Sequence, residues 1–429
     1  MLFPGPPRCS YNPPLAKISR IADNQEDAPE AASTLFDRLF RNLLLICLAT
    51  AAWSYGFGAG SQLVSQWMNQ HGADKTQIGL GHSCYYLGLA VASLAVPWLN
   101  RRFGTRAAGV GMIVCGPALA FFPWAGGPLG WYALRLLSGA ASALSLIPLE
   151  TMISRDAPAG ERARNFAFYG VSLTLGGALG MWVGLNLFEL APVVAFGLGA
   201  AAPFGGGLAV LFGLSGRCAE VPRGVPAPIL WRTRFLSFGT AWSQGFLEGG
   251  MLAFLALYLE TRGLAVDEAG DLIGLTTVGI LLFQVPISWL ADRCGRIRVL
   301  LGCYAVVIGG LIAAPFCPNT PLLAICLFVF GGCAGAMYPL GLALLGDGLA
   351  STSLARLYAW YLAMECVGSL MGPPAMGSAI DAWGSSAMFS VGIVAVALVI
   401  ASWIAFRKNS APRSIPLAES ETPERRQVA

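Results

Sequence analysis

The chain has 429 residues, of which 55% are hydrophobic and 12% are charged, and its formal net charge is +4. Soluble domains average about 25% charged residues, so the composition excludes an ordinary soluble protein and indicates one that lies in a lipid bilayer. The small net charge gives no sign of a nucleic-acid partner. Eleven cysteines without a Cys-x-x-Cys pair, with only two histidines, predict no metal site and no cofactor.

The chain begins with residues 1–38, which are rich in proline and mixed in charge. This composition predicts a disordered tail, and no apolar stretch comes early enough for a signal peptide. Twelve apolar segments follow, each close to the ~20 residues that a helix needs to cross a bilayer. Their approximate bounds are 40–66, 77–99, 107–124, 129–150, 166–188, 191–214, 235–259, 271–290, 299–316, 321–345, 357–380 and 386–406.

The only sizeable central link, residues 215–234, contains three prolines and divides the chain. The sequence therefore predicts an all-α membrane protein with two six-helix halves, residues 39–214 and 235–406. Residues 407–429 are polar and predict a second disordered tail.

Short stretches of the first half recur in the second at a nearly constant offset, which indicates an internal duplication. At an offset of 191 the matching pairs are Trp98 and Trp289, Leu99 and Leu290, Arg102 and Arg293, and Gly104 and Gly295. At an offset of 192 they are Arg164 and Arg356, Tyr169 and Tyr361, Gly176 and Gly368, and Gly180 and Gly372.

The distribution of positive charge predicts the orientation. With twelve spans, 24 Lys and Arg residues lie on the side of the two termini, whereas Lys75 and Arg262 alone lie on the other. Positively charged loops stay in the cytoplasm. We therefore expect a multi-pass protein of the inner membrane, a monomer, with both termini in the cytoplasm.

The loop between the eighth and ninth segments reads Asp292-Arg293-Cys294-Gly295-Arg296. It resembles the Asp-Arg-x-Gly-Arg signature of the major facilitator superfamily, which carries the signature in the second–third and eighth–ninth loops. The resemblance implies twelve helices in two halves, transport by alternating access, and a gating role for Asp292, Arg293, Gly295 and Arg296. In the second–third loop it implies the same role for Arg101, Arg102 and Gly104. Glu150 closes the fourth segment at the cytoplasmic edge, close in the predicted topology to these arginines, and we expect a surface ion pair there that opens during gating rather than a contact with the solute.

Two further motifs resemble the same family: Arg135 with Gly139 in the fourth segment, and Gly368-x-x-x-Gly372-Pro373 in the eleventh. Two departures matter. Arg101 stands where the family has an aspartate, which puts the usual gating interaction in doubt. The fifth segment lacks the Gly-Pro pair of many antiporters, so no motif secures antiport.

Charged residues inside membrane segments are costly and are candidates for function. Arg135 would bind an anionic solute or couple protons; its alternative is a structural bond to carbonyls and polar groups of the first helix. Glu248 lies near the bilayer middle by depth, where a carboxylate could carry a proton or bind a cation; its alternative is an outward-pointing glutamate at a glycine-rich bend. Glu365 could face a cavity or reach back towards cytoplasmic arginines.

Uncharged polar and aromatic residues in the apolar segments complete the candidate site. Glutamines in such runs can hydrogen-bond a solute, and aromatic rings can line its cavity, although most aromatic residues in membrane helices serve packing. The candidates are Gln62, Gln244, Gln284, Tyr85 and Trp242.

The leading hypothesis is a secondary transporter that moves a small solute by alternating access, with proton-coupled efflux ahead of uptake by symport. No Gly-x-x-x-x-Gly-Lys-Ser/Thr loop is present, so ATP does not drive it directly. The alternative is a transporter-like sensor or assembly protein that no longer transports, which Arg101 favours. A membrane enzyme is third, since no cluster of His, Cys and acids has ligand spacing.

The predicted orientation can be tested by cysteine labelling. In a background without other cysteines, a cysteine within residues 100–106 or 291–298 should react poorly with an external membrane-impermeant maleimide in intact cells, because both loops would face the cytoplasm. A cysteine at residue 75 is the matched control for the opposite side. Rapid external labelling of either loop would contradict the topology.

Overall fold

The structure is a computed structural model that describes residues 28–156, 162–214, 231–346 and 351–409. In these residues all regular secondary structure is helical, which confirms the predicted class. The helices are α1 Ala28–Gln70, α2 Lys75–Ser93, α3 Val96–Phe103, α4 Arg106–Ala120, α5 Pro128–Asp156, α6 Arg162–Phe188, α7 Pro192–Gly213, α8 Trp231–Thr261, α9 Val266–Cys294, α10 Arg296–Ala313, α11 Thr320–Gly346, α12 Ser351–Trp383 and α13 Ala387–Asn409. The short 3-10 turns Phe122–Trp124 and Ala314–Phe316 follow α4 and α10.

Eight of the described helices are long and apolar enough to cross a membrane, and α2 with α3 makes a ninth if the bent pair is one span. The other three predicted segments correspond to α4, α8 and α12. Helix α4 has only 15 residues. Helices α8 and α12 contain Glu248 and Glu365 among other polar residues, and these lower their mean hydropathy.

The predicted segment 77–99 is two helices rather than one. Helices α2 and α3 meet at an angle of 58°, and Pro97 lies in the first turn of α3. Proline has no N–H to continue a helix and disfavours helical geometry in the residue before it. The break is not apparent from the hydropathy of the sequence, because the average hydropathy stays high across it.

The ends of two other segments also differ from the prediction. Residues 28–38, predicted as part of a disordered tail, are helical and begin α1, and α13 continues to Asn409. Pro29 suits the first turn of a helix, and the alanine and glutamate residues after it favour helix. The rest of the two predicted tails, residues 1–27 and 410–429, and most of the link, residues 215–230, lie outside the described residues.

The glycines of the two signature loops make the same turn. Gly104 lies between α3 and α4 with φ +60°, and Gly295 lies between α9 and α10 with φ +96°. Each donates its N–H to a carbonyl four residues earlier, on Asn100 at 2.8 Å and on Ala291 at 3.0 Å. Only glycine adopts such φ values without strain, which explains its place in both copies.

Helices α1 and α6 approach each other through glycine. A Cβ at Gly176 or Gly180 on α6 would overlap the carbonyl oxygen of Ala51 or Tyr55 on α1. Small residues at such crossings let two backbones approach closely, and this packing holds membrane helices together where burial from water cannot.

Helices α8 and α12 cross in the same manner. A Cβ at Gly368 or Gly372 would overlap the carbonyl oxygen of Trp242 or Phe246. These glycines lie 192 residues after Gly176 and Gly180, and the carbonyls lie 191 residues after those of α1. The contacts between helices thus follow the offset of the repeated sequence.

The chain divides into two compact units by its contacts. Unit 1 contains residues 1–71, 84–222 and 263–274, and unit 2 contains residues 72–83, 223–262 and 275–429. The first turns of α2 thus belong to unit 2, and the first turns of α9 belong to unit 1.

A carboxylate from a distant part of the chain caps each of these two helix starts. In unit 2, Asp381 accepts hydrogen bonds from the N–H groups of Lys75 and Thr76 at 3.0 and 2.8 Å. In unit 1, Glu189 accepts one from the N–H of Val266 at 3.2 Å. Glu189 and Asp381 are 192 residues apart, and Lys75 and Val266 are 191 apart. The caps satisfy N–H groups that have no partner within their own helix.

Asp381 lies one residue beyond the predicted apolar segment 357–380. Its slight burial would raise the pKa of the carboxyl, but hydrogen bonds from the Thr76 hydroxyl and the two backbone N–H groups, with the charge of Lys75, hold that pKa below the usual 3.8. The cap is therefore ionised at neutral pH.

The glycine crossings predict a contrast in stability. Gly180→Ala and Gly372→Ala should each lower the free energy of unfolding by roughly 1–3 kcal/mol, because the added methyl group would force two backbones apart. Thermal unfolding of purified protein in detergent measures this.

Gly197→Ala is the matched control, since nothing lies within 4 Å of a Cβ at that helical position. It should leave stability unchanged or raise it by at most about 1 kcal/mol, because alanine favours helix. Equal melting temperatures for Gly180→Ala and Gly197→Ala would refute the role of the crossings.

Candidate functional site

Arg135 lies on α5 with its side chain only 5% exposed, inside unit 1. Its guanidinium carbon is 4.7 Å from the centre of the Tyr85 ring on α2. A cation over an aromatic face is attracted by the negative charge on that face. Arg135 and Tyr85 were separate candidates for the site in the sequence, and the structure places them in contact.

The spacing from Arg135 to Gly139 explains this contact. A Cβ at Gly139 would overlap the Tyr85 carbonyl oxygen, and one at Gly88 would overlap that of Leu136. Helices α5 and α2 therefore cross with their backbones close together at these two glycines. Residues four apart lie on the same face of a helix, so the glycine at the crossing places the arginine against the aromatic residue of α2.

An aromatic row on α1 continues from Tyr85. Trp53 and Phe57 stack with ring centres 5.4 Å apart, and Phe57 lies 5.3 Å from Tyr85. The two α1 residues are four apart and so share one face.

The hydroxyl of Ser142 joins the row to α5. It accepts a hydrogen bond from Trp53 Nε1 at 3.1 Å and one from the Tyr85 hydroxyl at 2.9 Å. Ser142 lies two turns after Arg135, on the same face. Buried tryptophan and tyrosine need such a partner for their polar atoms, so this contact fixes both rings beside the arginine.

These residues surround a cavity of about 30 Å³, which is room for about two water molecules. Besides the aromatic and arginine side chains, its wall includes Cys115, Leu119, Ser138 and Pro203. Gln62, another sequence candidate, is buried on α1 but does not line this cavity. The arrangement provides one cation, flat rings and hydroxyl groups in a water-poor setting.

The acidic candidates lie in unit 2. Glu248 and Gln244, four residues apart on α8, form a side-chain hydrogen bond. Glu248 is exposed and Gln244 is buried. A Cβ at Gly245 would overlap the Glu365 carbonyl oxygen on α12, so the backbone of Glu365 lies against α8 beside this pair. The structure therefore groups three of the predicted residues in unit 2.

Two other candidates in unit 2 have different settings. Trp242 packs with Phe246 on α8, with ring centres 5.3 Å apart. Gln284 lies on the exposed surface of α9, and its backbone carbonyl accepts a hydrogen bond from Ser288 at 2.7 Å.

A buried polar group of unit 2 was not identified from the sequence. The hydroxyl of Tyr304 donates to Thr240 Oγ1 at 3.1 Å and lies 2.9 Å from Ser243 Oγ. Nearby on α12, the Tyr361 hydroxyl donates to the Tyr338 carbonyl at 2.8 Å. Serine and threonine are so frequent in membrane helices that their position alone gave no signal.

The signature loop of unit 2 is held to α11. Arg296 forms an ion pair with Asp292 at 3.4 Å and donates to the Ala343 carbonyl at 3.0 Å. The guanidinium of Arg293 lies 3.7 Å from the centre of the Trp289 ring. The bond from Arg296 satisfies the Ala343 carbonyl near the C-terminal end of α11, where a positive charge is favourable.

The first-half gating candidates are arranged differently. Arg101 and Arg102 are exposed on α3. Glu150, which we expected beside them, accepts a hydrogen bond from the Tyr169 hydroxyl at 3.0 Å. Nothing in the sequence identified Tyr169 as this partner.

A family model described as Major Facilitator Superfamily matches residues 43–269 and again residues 237–427. The chain belongs to the Major Facilitator Superfamily. The two matches together span nearly all of the twelve predicted segments, so the membership covers both halves of the duplicated sequence. The resemblance inferred from the loop motif is confirmed.

Bacterial relatives agree with this membership. The uncharacterized MFS-type transporter YfkF of Bacillus subtilis (strain 168) is 24% identical over 369 residues, which are 82% of this chain and 91% of that protein. The uncharacterized MFS-type transporter YE1530 of Yersinia enterocolitica is 27% identical over 372 residues, 84% of this chain and 94% of that one.

Solved structures of the superfamily have the same fold. A variant of the nucleoside transporter NupG superposes with a TM-score of 0.72 at 16% identity, covering 85% of this chain and 99% of its own. The D-xylose-proton symporter gives 0.66 at 15% identity, with coverages of 84% and 97%. The chain is therefore a multi-pass membrane transporter of this superfamily and not an enzyme.

The contact between Arg135 and Tyr85 predicts a graded effect on stability. Tyr85→Phe keeps the ring under the guanidinium but loses the hydroxyl bond to Ser142, and should cost about 1 kcal/mol of unfolding free energy. Tyr85→Leu also loses the aromatic face and should cost roughly 2–5 kcal/mol. Thermal unfolding in detergent measures both.

Phe121→Leu is the control, because it removes an aromatic ring that is 61% exposed and should change little. Equal losses for Tyr85→Phe and Tyr85→Leu would show that the ring face contributes nothing to holding Arg135.

Proposed function

We propose that this transporter crosses the inner membrane twelve times, in two six-helix halves, and exports a small solute in exchange for protons by alternating access. The eight apolar helices, the bent α2–α3 pair, and α4, α8 and α12 together make twelve. The 24-to-2 distribution of Lys and Arg supports cytoplasmic termini, and bacterial relatives support an inner-membrane location. We expect a monomer.

The observation that carries the proposal is the buried Arg135 beside Tyr85, Trp53 and Ser142. A guanidinium held in a water-poor pocket attracts anions strongly and changes the proton affinity of any acid near it. Aromatic walls with a few polar groups are typical of sites for organic solutes. Arg135 is thus suited to binding an anionic group of the solute or to proton coupling.

Glu248 is our choice for the proton-carrying group. Its carboxylate has a neutral partner, Gln244, so a proton can neutralise it without breaking an ion pair with that partner. Glu365 lies on the helix that crosses α8 beside it. We propose that Gln244, Gln284 and Trp242 in unit 2, and Gln62 in unit 1, also take part in binding the solute or the proton.

We assign gating to the two signature loops. In the second loop, the Asp292–Arg296 pair and the bond from Arg296 to Ala343 are contacts that can break and re-form as the protein changes state. Exposed ion pairs of this kind contribute little to stability, which suits a reversible contact. Arg101, Arg102, Gly104 and Glu150 are the corresponding proposal for the first loop.

Two alternatives remain open to test. Uptake by symport would use the same residues with the opposite coupling. A sensor or assembly protein without transport is favoured by one observation, Arg101 in the position of the family aspartate. The direction of proton movement distinguishes uptake by symport from export. Binding of a solute without its transport would identify the sensor or assembly protein.

The test uses proteoliposomes that contain the pH-sensitive dye pyranine. Ethidium, uridine, xylose, dialanine and benzoate are added outside one at a time, and liposomes without the protein are the control, because benzoic acid crosses lipid unaided and acidifies the lumen. Entry of a solute by exchange makes the lumen more alkaline, whereas symport makes it more acidic. If none of these probes moves protons, and one of them raises the melting temperature of the purified protein but does not accumulate in the vesicles, the sensor hypothesis replaces transport.

Glu248→Gln should abolish the solute-dependent proton flux, while the protein stays folded and inserted. Glutamine keeps the shape and hydrogen bonding of the side chain but cannot carry a proton at neutral pH. Glu268→Gln is the control, because it removes an exposed carboxylate at the start of α9 and should leave the flux unchanged. Wild-type flux in Glu248→Gln would exclude it as the coupling residue.

A further inference from the structure

Helix α3 is a short amphipathic helix that turns away from α2 by 58°. Its buried side chains, Val96 and Asn100, are four residues apart and so lie on one face. Two large rings of α3 are nevertheless exposed: Trp98, on the opposite face, is 54% exposed, and Phe103, the last residue of the helix, is 50% exposed. A helix in water rarely presents two large rings of this kind together.

The same surface is strongly positive. Arg101 and Arg102 end α3, Arg106 begins α4, and all three are exposed. The guanidinium of Arg102 lies 5.8 Å from the ring centres of both Trp98 and Phe103. The sequence has no Asp or Glu between Asp74 and Glu150, so this stretch of chain supplies no counter-charge of its own.

The second copy of the loop uses its charges differently. It repeats the contact between arginine and tryptophan, with Arg293 3.7 Å from the centre of the Trp289 ring. However, Asp292 stands at the position of Arg101, and it pairs with Arg296 at 3.4 Å. Three arginines with no acid at residues 101–106 compare with three arginines and one acid at residues 292–298. The first copy therefore has no acid within its own loop sequence and one more net positive charge than the second.

We propose that α3 and the start of α4 form a binding site for the headgroup of an anionic phospholipid. Arginine matches phosphate with paired hydrogen bonds, and tryptophan prefers the boundary between headgroups and acyl chains. Exposed rings that hold an arginine at the end of a membrane helix suit a lipid, whereas a free phosphate ion would make no use of the rings. Lipid binding is a further role for Arg101 and Arg102, in addition to the gating proposed for them.

Native mass spectrometry of the full chain in detergent tests the proposal, with phosphatidylglycerol and phosphatidylcholine of identical acyl chains as probes. Wild-type protein should retain phosphatidylglycerol in preference. In Arg101→Gln/Arg102→Gln its affinity should fall about fivefold for each arginine removed, while that of phosphatidylcholine stays unchanged. Trp98→Leu should weaken both lipids by removing the ring at the boundary.

Arg298→Gln is the matched control, because it removes an exposed arginine from the second copy of the loop, and it should change phosphatidylglycerol binding less than twofold. An equal loss in this control would overturn the site and leave only general attraction between charges. Displacement of the lipid by millimolar inorganic phosphate would also overturn it, in favour of a soluble anion. Melting temperatures measured in phosphatidylcholine show whether each variant is folded. If the double variant does not fold, Arg106→Gln replaces it and should also lower the affinity for phosphatidylglycerol about fivefold.

Discussion

Close backbone contact at glycine determines where the other groups of this protein lie. Helices that meet through larger side chains stay about 8–10 Å apart, whereas at Gly139 and Gly180 a single methyl group would overlap a carbonyl oxygen of the neighbouring helix. Packing is what holds helices together in lipid, so these crossings carry a large part of the fold. They also position the candidate site, because the crossing at Gly139 sets Arg135 against Tyr85.

The two copies keep the crossings but not the chemistry around them. Trp53 and Phe57 correspond, at an offset of 191, to Gln244 and Glu248. Both pairs are in contact along their helix, as stacked rings in α1 and as a hydrogen bond in α8. An aromatic wall in one copy is therefore an acid–amide pair in the other. A duplicated backbone has been kept by packing while its side chains have diverged.

The sequence predicted the features that follow from the energetic cost of a charge in an apolar segment or from the internal duplication. Arg135 was selected because a charge in an apolar segment is expensive, and it is buried. Ser142 was not, because a serine in such a helix usually bonds its own backbone, as Ser145 does with the Ala141 carbonyl at 2.8 Å. Which hydroxyl receives bonds from other helices depends on helix rotation and depth, which one-dimensional periodicity does not give. The break at Pro97 was not predicted because the average hydropathy stays high across it and does not show where a helix bends.

The capped helix starts differ in kind from the glycine crossings. If Asp381 left the N–H groups of Lys75 and Thr76, water could take its place at once, because the carboxylate is exposed and exchanges one set of hydrogen bonds for another. No solvent can replace the close contact at Gly372, where parting would leave an empty gap. The protein thus contains contacts that come apart at little cost beside contacts that do not. A change of conformation would therefore separate the capped helix starts at a lower cost than the glycine crossings.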